Sequence, residues 1–199
     1  MPTIFSHGAI GFAASKLTGE SARANKHVIL AAIIVAGLPD ADALFMRFIP
    51  YNHLLGHRGL THSLFFAVLI GMATAWILMR IEEDRKQSFW MMALFLTIVT
   101  ASHGFFDALT SGGLGVAFFA PFDDTRYFLP WRPIPVSPLS LSGLLSPRGW
   151  RVIKWESLLF WPFAVAAAVW DRQTKWRMMV ASVGVAVGVA MWLWAWFER

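Results

Sequence analysis

The sequence predicts an all-α protein, a polytopic membrane helix bundle of about four to six apolar segments with a long Pro/Gly-rich loop. Three observations carry that reading. Hydrophobic residues make up 57% of the chain and charged residues only 15%, against about 45–50% and ~25% in soluble domains. The apolar residues fall in continuous runs of helical length. The Lys and Arg residues sit in short clusters between those runs, the pattern that sets membrane topology. A net charge of +5 distributed this way points to the lipid bilayer as partner and argues against nucleic acid.

The elements follow in order. Ile4–Leu17 is a short apolar segment rich in Gly and Ala, and Val28–Leu38 is a second, stopped by Pro39. At 1.5 Å per residue, each covers about half to two-thirds of a ~30 Å hydrocarbon core. The two are therefore either short spans or a re-entrant pair. Leu64–Met79 is a fuller span, ended by Arg80. Phe89–Ala101 continues through "SHGFFDALT" and reaches spanning length by Thr110. Ser157–Trp170 and Met178–Phe197 are two further membrane helices. Gly184 and Gly188 form a G-x-x-x-G pair in the last one, which either admits a neighbouring helix closely or is merely tolerated there. Tryptophans crowd the ends of these two segments as an interfacial belt. Ser111–Trp155, with six prolines, reads as a long loop. "MPTIFSHGAIGF" has no basic n-region and does not read as a signal peptide. At this length one integral membrane domain over 1–199 is expected, with a polar, site-bearing part at 1–140.

The polar residues gather by position. His7 begins the first segment, Asp40 and Asp42 end the second, His57 and His62 precede the third, and His103 and Asp107 close the fourth. If successive segments cross the bilayer, all seven share one membrane face. Nine Lys/Arg occupy the short turns at the opposite end, from Lys16, Arg23 and Lys26 to Arg172, Lys175 and Arg177. By the positive-inside rule those turns are cytoplasmic and the polar cluster opens to the outer, periplasmic side.

The residue types suggest a metal. His103 and Asp107 are four apart, on one helix face. His57 and His62 are too widely spaced for one face, so Gly59 is expected to supply a bend, with Thr61 as a helix N-cap. The chain has no cysteine, which excludes thiolate sites, disulfides and cysteine nucleophiles. Imidazole with carboxylate suits a divalent ion, zinc first, with manganese or iron as alternatives. Asp40 follows a helix break and can serve as ligand or general base. Arg58 either holds an anionic substrate group or snorkels to the headgroups. Backbone N–H groups near Ser111–Gly113 offer an anion nest or a plain helix cap. His27 and His53 read as interfacial histidines, and Asp123 and Asp124 as a solvated turn.

These motifs carry a resemblance. "SHGAIGF", "LPDAD", "HRGLTHS", "HGFFDALTSGG" and "RYFLPWRPIPVSPLS", in that order, resemble the YdjM/YbcI-type family of bacterial membrane-bound proteins, described as metal-dependent hydrolases. The resemblance covers His7 to about Ser140. It implies a multi-pass inner (plasma) membrane protein, with His7, Asp40, Asp42, His57, His62, His103 and Asp107 as the shared residues. The expected function is a membrane-embedded metal-dependent hydrolase acting on an ester or phosphoester, with an amphiphilic or lipid substrate suggested by location alone. The alternatives are a transporter or ion-handling protein, or a non-catalytic membrane protein with a structural metal.

Overall fold

A computed structural model describes residues 1–18, 25–81, 88–138, 140–170 and 174–197. Its α-helices are α1 (Ile4–Lys16), α2 (Lys26–Gly37), α3 (Leu64–Ile81), α4 (Phe89–Ala108), α5 (Leu141–Leu144), α6 (Pro147–Val169) and α7 (Lys175–Phe197). Among the described residues there is no β-strand, only two isolated bridges, Thr110 with Ile134 and Val116 with Tyr127. Five helical stretches are long and apolar enough to cross a membrane: 26–45, 64–81, 89–108, 147–169 and 175–197. The predicted polytopic all-α bundle is therefore found.

Two boundaries differ from expectation. The second segment does not stop at Pro39. After Gly37 the chain tightens into 3-10 turns from Leu38 to Phe45, giving a 20-residue apolar stretch. Pro39 sits in the first turn of that segment, where the missing N–H leaves no bond broken. α1, at 13 residues, stays below the ~20 needed to span. The other boundary is the start of α6, ten residues before Ser157. Ser146 accepts a hydrogen bond from the Gly149 N–H, with Pro147 at the first helical turn. The charged, amphipathic start of this helix had hidden it within the loop, which is accordingly shorter than Ser111–Trp155.

Packing brings the polar ends together. α1 and α2 run as an antiparallel hairpin, α3 pairs with α4, and α6 pairs with both α7 and α1. Val28, Ala32, Val35, Ala75, Leu96 and Val99 form the core between α2, α3 and α4. A second core joins Leu109 and Ile134 to Leu159, Phe160 and Ala195. Gly184 and Gly188 face α6: a Cβ on Gly188 would lie 2.6 Å from the Phe163 ring. The close-approach reading of that pair is the one the packing uses.

Candidate metal centre

The site is built at the end of the bundle where α2 leaves and α3 begins. Its first device is the backbone of "HRGLTHS". Arg58 takes a left-handed conformation, φ 63°, uncommon for a residue with a side chain. Gly59 supplies the expected bend, with φ −88° and ψ −128°, and a Cβ there would also overlap the Leu54 carbonyl. Residues 60–62 then form a 3-10 turn that carries His62 inward. Gly104 lets this turn lie directly on α4: a Cβ would come within 2.7 Å of the His62 carbonyl oxygen. Arg126 clamps the loop from outside, donating to the carbonyls of His57 at 2.9 Å and of Tyr51 and His53 at 3.1 Å.

Asp40, His62, His103 and Asp107 converge. One potential ligand atom from each lies within 4.8 Å of the others, and all four side chains are buried. His103 Nε2 stands 3.2 Å from Asp40 Oδ1 and 3.2 Å from His62 Nε2. His62 Nε2 is 3.6 Å from Asp40 Oδ1 and 3.5 Å from Asp107 Oδ2. The ring orientations are set from behind. His103 Nδ1 donates to the Ala36 carbonyl at 2.7 Å, which leaves its Nε2 as a lone pair facing the centre. His62 Nδ1 faces Asp42 Oδ2 at 3.3 Å and Thr61 Oγ1 at 3.0 Å, which turns its Nε2 toward Asp40, Asp107 and His103.

Asp42 and His57 form a supporting layer. Asp42 Oδ1 accepts from His57 Nδ1 at 2.6 Å, and Oδ2 accepts from the Thr61 hydroxyl at 2.5 Å. Thr61 is thus not the N-cap of the third helix. That role falls to Ser63, whose hydroxyl accepts from the Phe66 N–H at 3.1 Å. Asp42, His57 and His62 form a second group with ligand spacing, sharing His62 with the first. His7 stacks on His103, ring centroids 3.7 Å apart, with its Nε2 3.5 Å from Asp107 Oδ1.

Arg58 does not reach the headgroups. Its guanidinium is fully buried, with Nε 3.0 Å from Asp107 Oδ2. Nη1 donates to the Gly112 carbonyl and Nη2 to Thr110 Oγ1, each at 2.8 Å. The "TSGG" turn therefore presents a carbonyl to a cation here, and its Ser111 N–H is taken by Ile134. Burial pushes the nearby Tyr51 hydroxyl up from its ordinary value, keeping it a neutral group. His53 lies exposed and His27 part-exposed, both away from the cluster, and Asp123 accepts from the Thr125 N–H in an exposed turn, as expected.

Does this donor set fit a divalent cation? Asp40 Oδ2, both Asp107 oxygens and both His7 nitrogens are buried without a hydrogen bond. The Arg58–Asp107 contact is an ion pair whose N–H is not aimed at the oxygen. The Asp40 and Asp107 carboxylates share this pocket with the Arg58 guanidinium and, beside Asp107, the buried amino group of Met1, and the Nε2 atoms of His62 and His103 face one another at 3.2 Å. Buried, unpaired charge of this kind is costly unless a cation is held there. The residues fit a borderline-hard divalent ion with nitrogen and oxygen ligands.

One buried acid escaped the sequence reading. Glu156, in α6, accepts from the Thr3 N–H at 2.9 Å and from the hydroxyls of Thr3 and Ser6 at 2.5 and 2.6 Å. It ties the start of α1, and so His7, to α6. A carboxylate next to an apolar run was the available signal.

The family described as "YdjM inner membrane protein" matches residues 1–197. The chain belongs to the YdjM family. The inner membrane protein YbcI of Escherichia coli (strain K12) is similar, 37% identical over 162 residues, 81% of this chain and 91% of the relative. No solved structure matches the chain. The YdjM match and the five apolar spans agree on a multi-pass inner membrane protein. The expected membership of the YdjM/YbcI family is borne out on both comparisons.

Proposed function

We propose that the chain is a membrane-embedded metal-dependent hydrolase acting on an ester or phosphoester of a membrane amphiphile. The observation that carries this reading is the buried Asp40–His62–His103–Asp107 cluster with its unpartnered carboxylate oxygens. Those four residues would hold a divalent ion, zinc first and manganese or iron otherwise, with His7 at its edge. When bound, the ion supplies a Lewis acid and an activated water.

The chain's own groups have distinct parts in this reading. Asp40 Oδ2, with no donor of its own, is free to accept a proton from the attacking water. Asp42, with Thr61 and His57, holds His62 in the tautomer that presents Nε2. Arg58 balances the charge of Asp107 rather than binding a substrate anion, because its Nη1 and Nη2 are engaged by the Gly112 carbonyl and the Thr110 hydroxyl and its Nε lies 3.0 Å from Asp107 Oδ2. Burial beneath the 51–63 loop excludes bulk water, which strengthens each electrostatic contact.

Purified wild type beside Asp40→Asn, assayed on p-nitrophenyl esters, phosphoesters and phospholipids, tests the reaction. Metal-dependent turnover lost in the variant supports it. Turnover surviving in Asp40→Asn and in His103→Ala marks a contaminant. Metal retained with no turnover on any of these substrates favours the structural-metal reading.

We further propose that the cluster opens to the periplasmic side. The described basic residues Lys16, Lys26, Arg80, Lys175 and Arg177 lie at the opposite helix ends; Arg23, Arg85, Lys86 and Arg172 lie outside the described residues. The chain lacks cysteine, so Ser88→Cys and Ser140→Cys can be labelled from outside intact spheroplasts. Labelling at position 140 alone is expected, and labelling at 88 alone would invert the topology.

A further inference from the structure

α6 has two unlike faces. One is buried: Glu156 accepts from the Ser6 hydroxyl of α1, and Leu159 packs in the core that includes Ala195 of α7. The opposite face is open. Arg151, Lys154, Leu158, Trp161 and Val165 follow one another at steps of three and four, which sets them in one stripe along the helix. All five are exposed, and Arg148, one turn earlier, is exposed as well. The stripe is cationic over its first turns and apolar beyond them.

The cations are unanswered within the chain. Among the described residues no carboxylate pairs with Arg148, Arg151 or Lys154. The acid on the same stretch of helix, Glu156, is buried on the other face and taken by Thr3 and Ser6. Those bonds to the start of α1 also fix this part of α6 at the site end of the bundle. The short basic turns that set topology lie at the other helix ends, so topology does not call for three cations here. Depth agrees with charge. From Lys154 to Val165 the helix rises about 16 Å at 1.5 Å per residue, the half-thickness of a ~30 Å hydrocarbon core. The stripe therefore runs through one leaflet, with its cations at the headgroups and its apolar side chains beside the acyl chains.

We propose that this face of α6 binds an anionic phospholipid, its phosphodiester held among Arg148, Arg151 and Lys154 and an acyl chain lying along Leu158, Trp161 and Val165. Two arguments choose this occupant. Guanidinium and ammonium groups complement phosphate oxygens, arginine through a planar pair of donors. The apolar part of the stripe continues the surface by which α6, one of the five spanning helices, meets the bilayer. The surface is separate from the metal cluster, across α6 from Glu156, and it stands whether or not the cluster is catalytic.

The test is native mass spectrometry of the purified chain in detergent. The chain is titrated with dioleoyl phosphatidylglycerol and, separately, with zwitterionic dioleoyl phosphatidylcholine. Wild type should retain the anionic lipid preferentially. The three cations are exposed, so Arg148→Gln/Arg151→Gln/Lys154→Gln should fold as wild type does. It should lose the preference, by about fivefold for each charge removed, as for a cation beside an anionic membrane surface. Trp161→Ala shortens the apolar track and should weaken both lipids alike, leaving their ratio unchanged. Lys26→Gln/Arg80→Gln/Lys175→Gln removes the same charge from the opposite helix ends and should keep the preference. Equal loss in that variant would reduce the effect to net charge and overturn the proposal. A wild type without preference also overturns it, as does a preference that survives the loss of Arg148, Arg151 and Lys154. So does an oligomer that the Arg148/Arg151/Lys154 variant dissociates while lipid retention is unchanged, since the stripe then belongs to a second copy of the chain.

Discussion

Two regions of this bundle are joined by opposite means. α6 and α7 meet through small residues: Gly184 against Ala166, Gly188 against the Phe163 ring. One hydrogen bond crosses this pair, from the Trp192 indole N–H to the Leu159 carbonyl at 2.9 Å; for the rest, close van der Waals contact supplies the attraction in a medium as apolar as the side chains. At the site end, α2, α3 and α4 converge instead on imidazoles, carboxylates and a guanidinium, all buried. That end is held by charges whose partners are incomplete, and it forgoes apolar packing to assemble them. The contrast teaches where function lies. A membrane bundle that can be closed with glycine and alanine has no structural need of such groups, and ionisable side chains at membrane depth usually mark chemistry.

The contrast can be broken from either side. The largest effect is expected from Asp107→Ala, which leaves the Arg58 guanidinium buried with no carboxylate. Uncompensated buried charge costs about 3–5 kcal/mol, read as a large fall in the thermal midpoint in detergent, together with loss of metal. Metal content and midpoint both unchanged would mean that this ion pair does not organise the site. A smaller effect is expected from Gly188→Leu, which forces a side chain into the Phe163 ring. Overpacking of this kind costs about 1–3 kcal/mol. It should lower the midpoint while leaving bound metal per folded chain at the wild-type level. Loss of metal in Gly188→Leu would show that the two regions are not independent.

Much of this was legible in the sequence, for physical reasons that differ by element. The helices were visible because apolar runs in lipid need no partner to declare themselves. The convergence of His62, His103, Asp40 and Asp107 was visible because alternating spans place odd starts and even ends on one side. The division into layers was not. Nothing in "LPDAD" distinguishes Asp40, aimed at the cluster, from Asp42, aimed at the backs of His57 and His62. That depends on the 3-10 turns after Gly37, which tighten the chain where an apolar-to-proline boundary suggests a stop. The fate of Arg58 was equally hidden. Its inward path follows from a left-handed backbone at a residue that is not glycine. Glu156 was missed because the apolar window began one residue too late.

The central claim is that the buried cluster holds a divalent ion. Metal analysis of the purified protein, wild type beside the His62→Ala/His103→Ala double variant, tests it most directly. The account predicts about one or two zinc, manganese or iron ions per wild-type chain, the range of one- and two-metal sites, and none in a double variant that still folds. A wild type that stays metal-free after incubation with each ion, or a double variant that keeps its full complement, would contradict it.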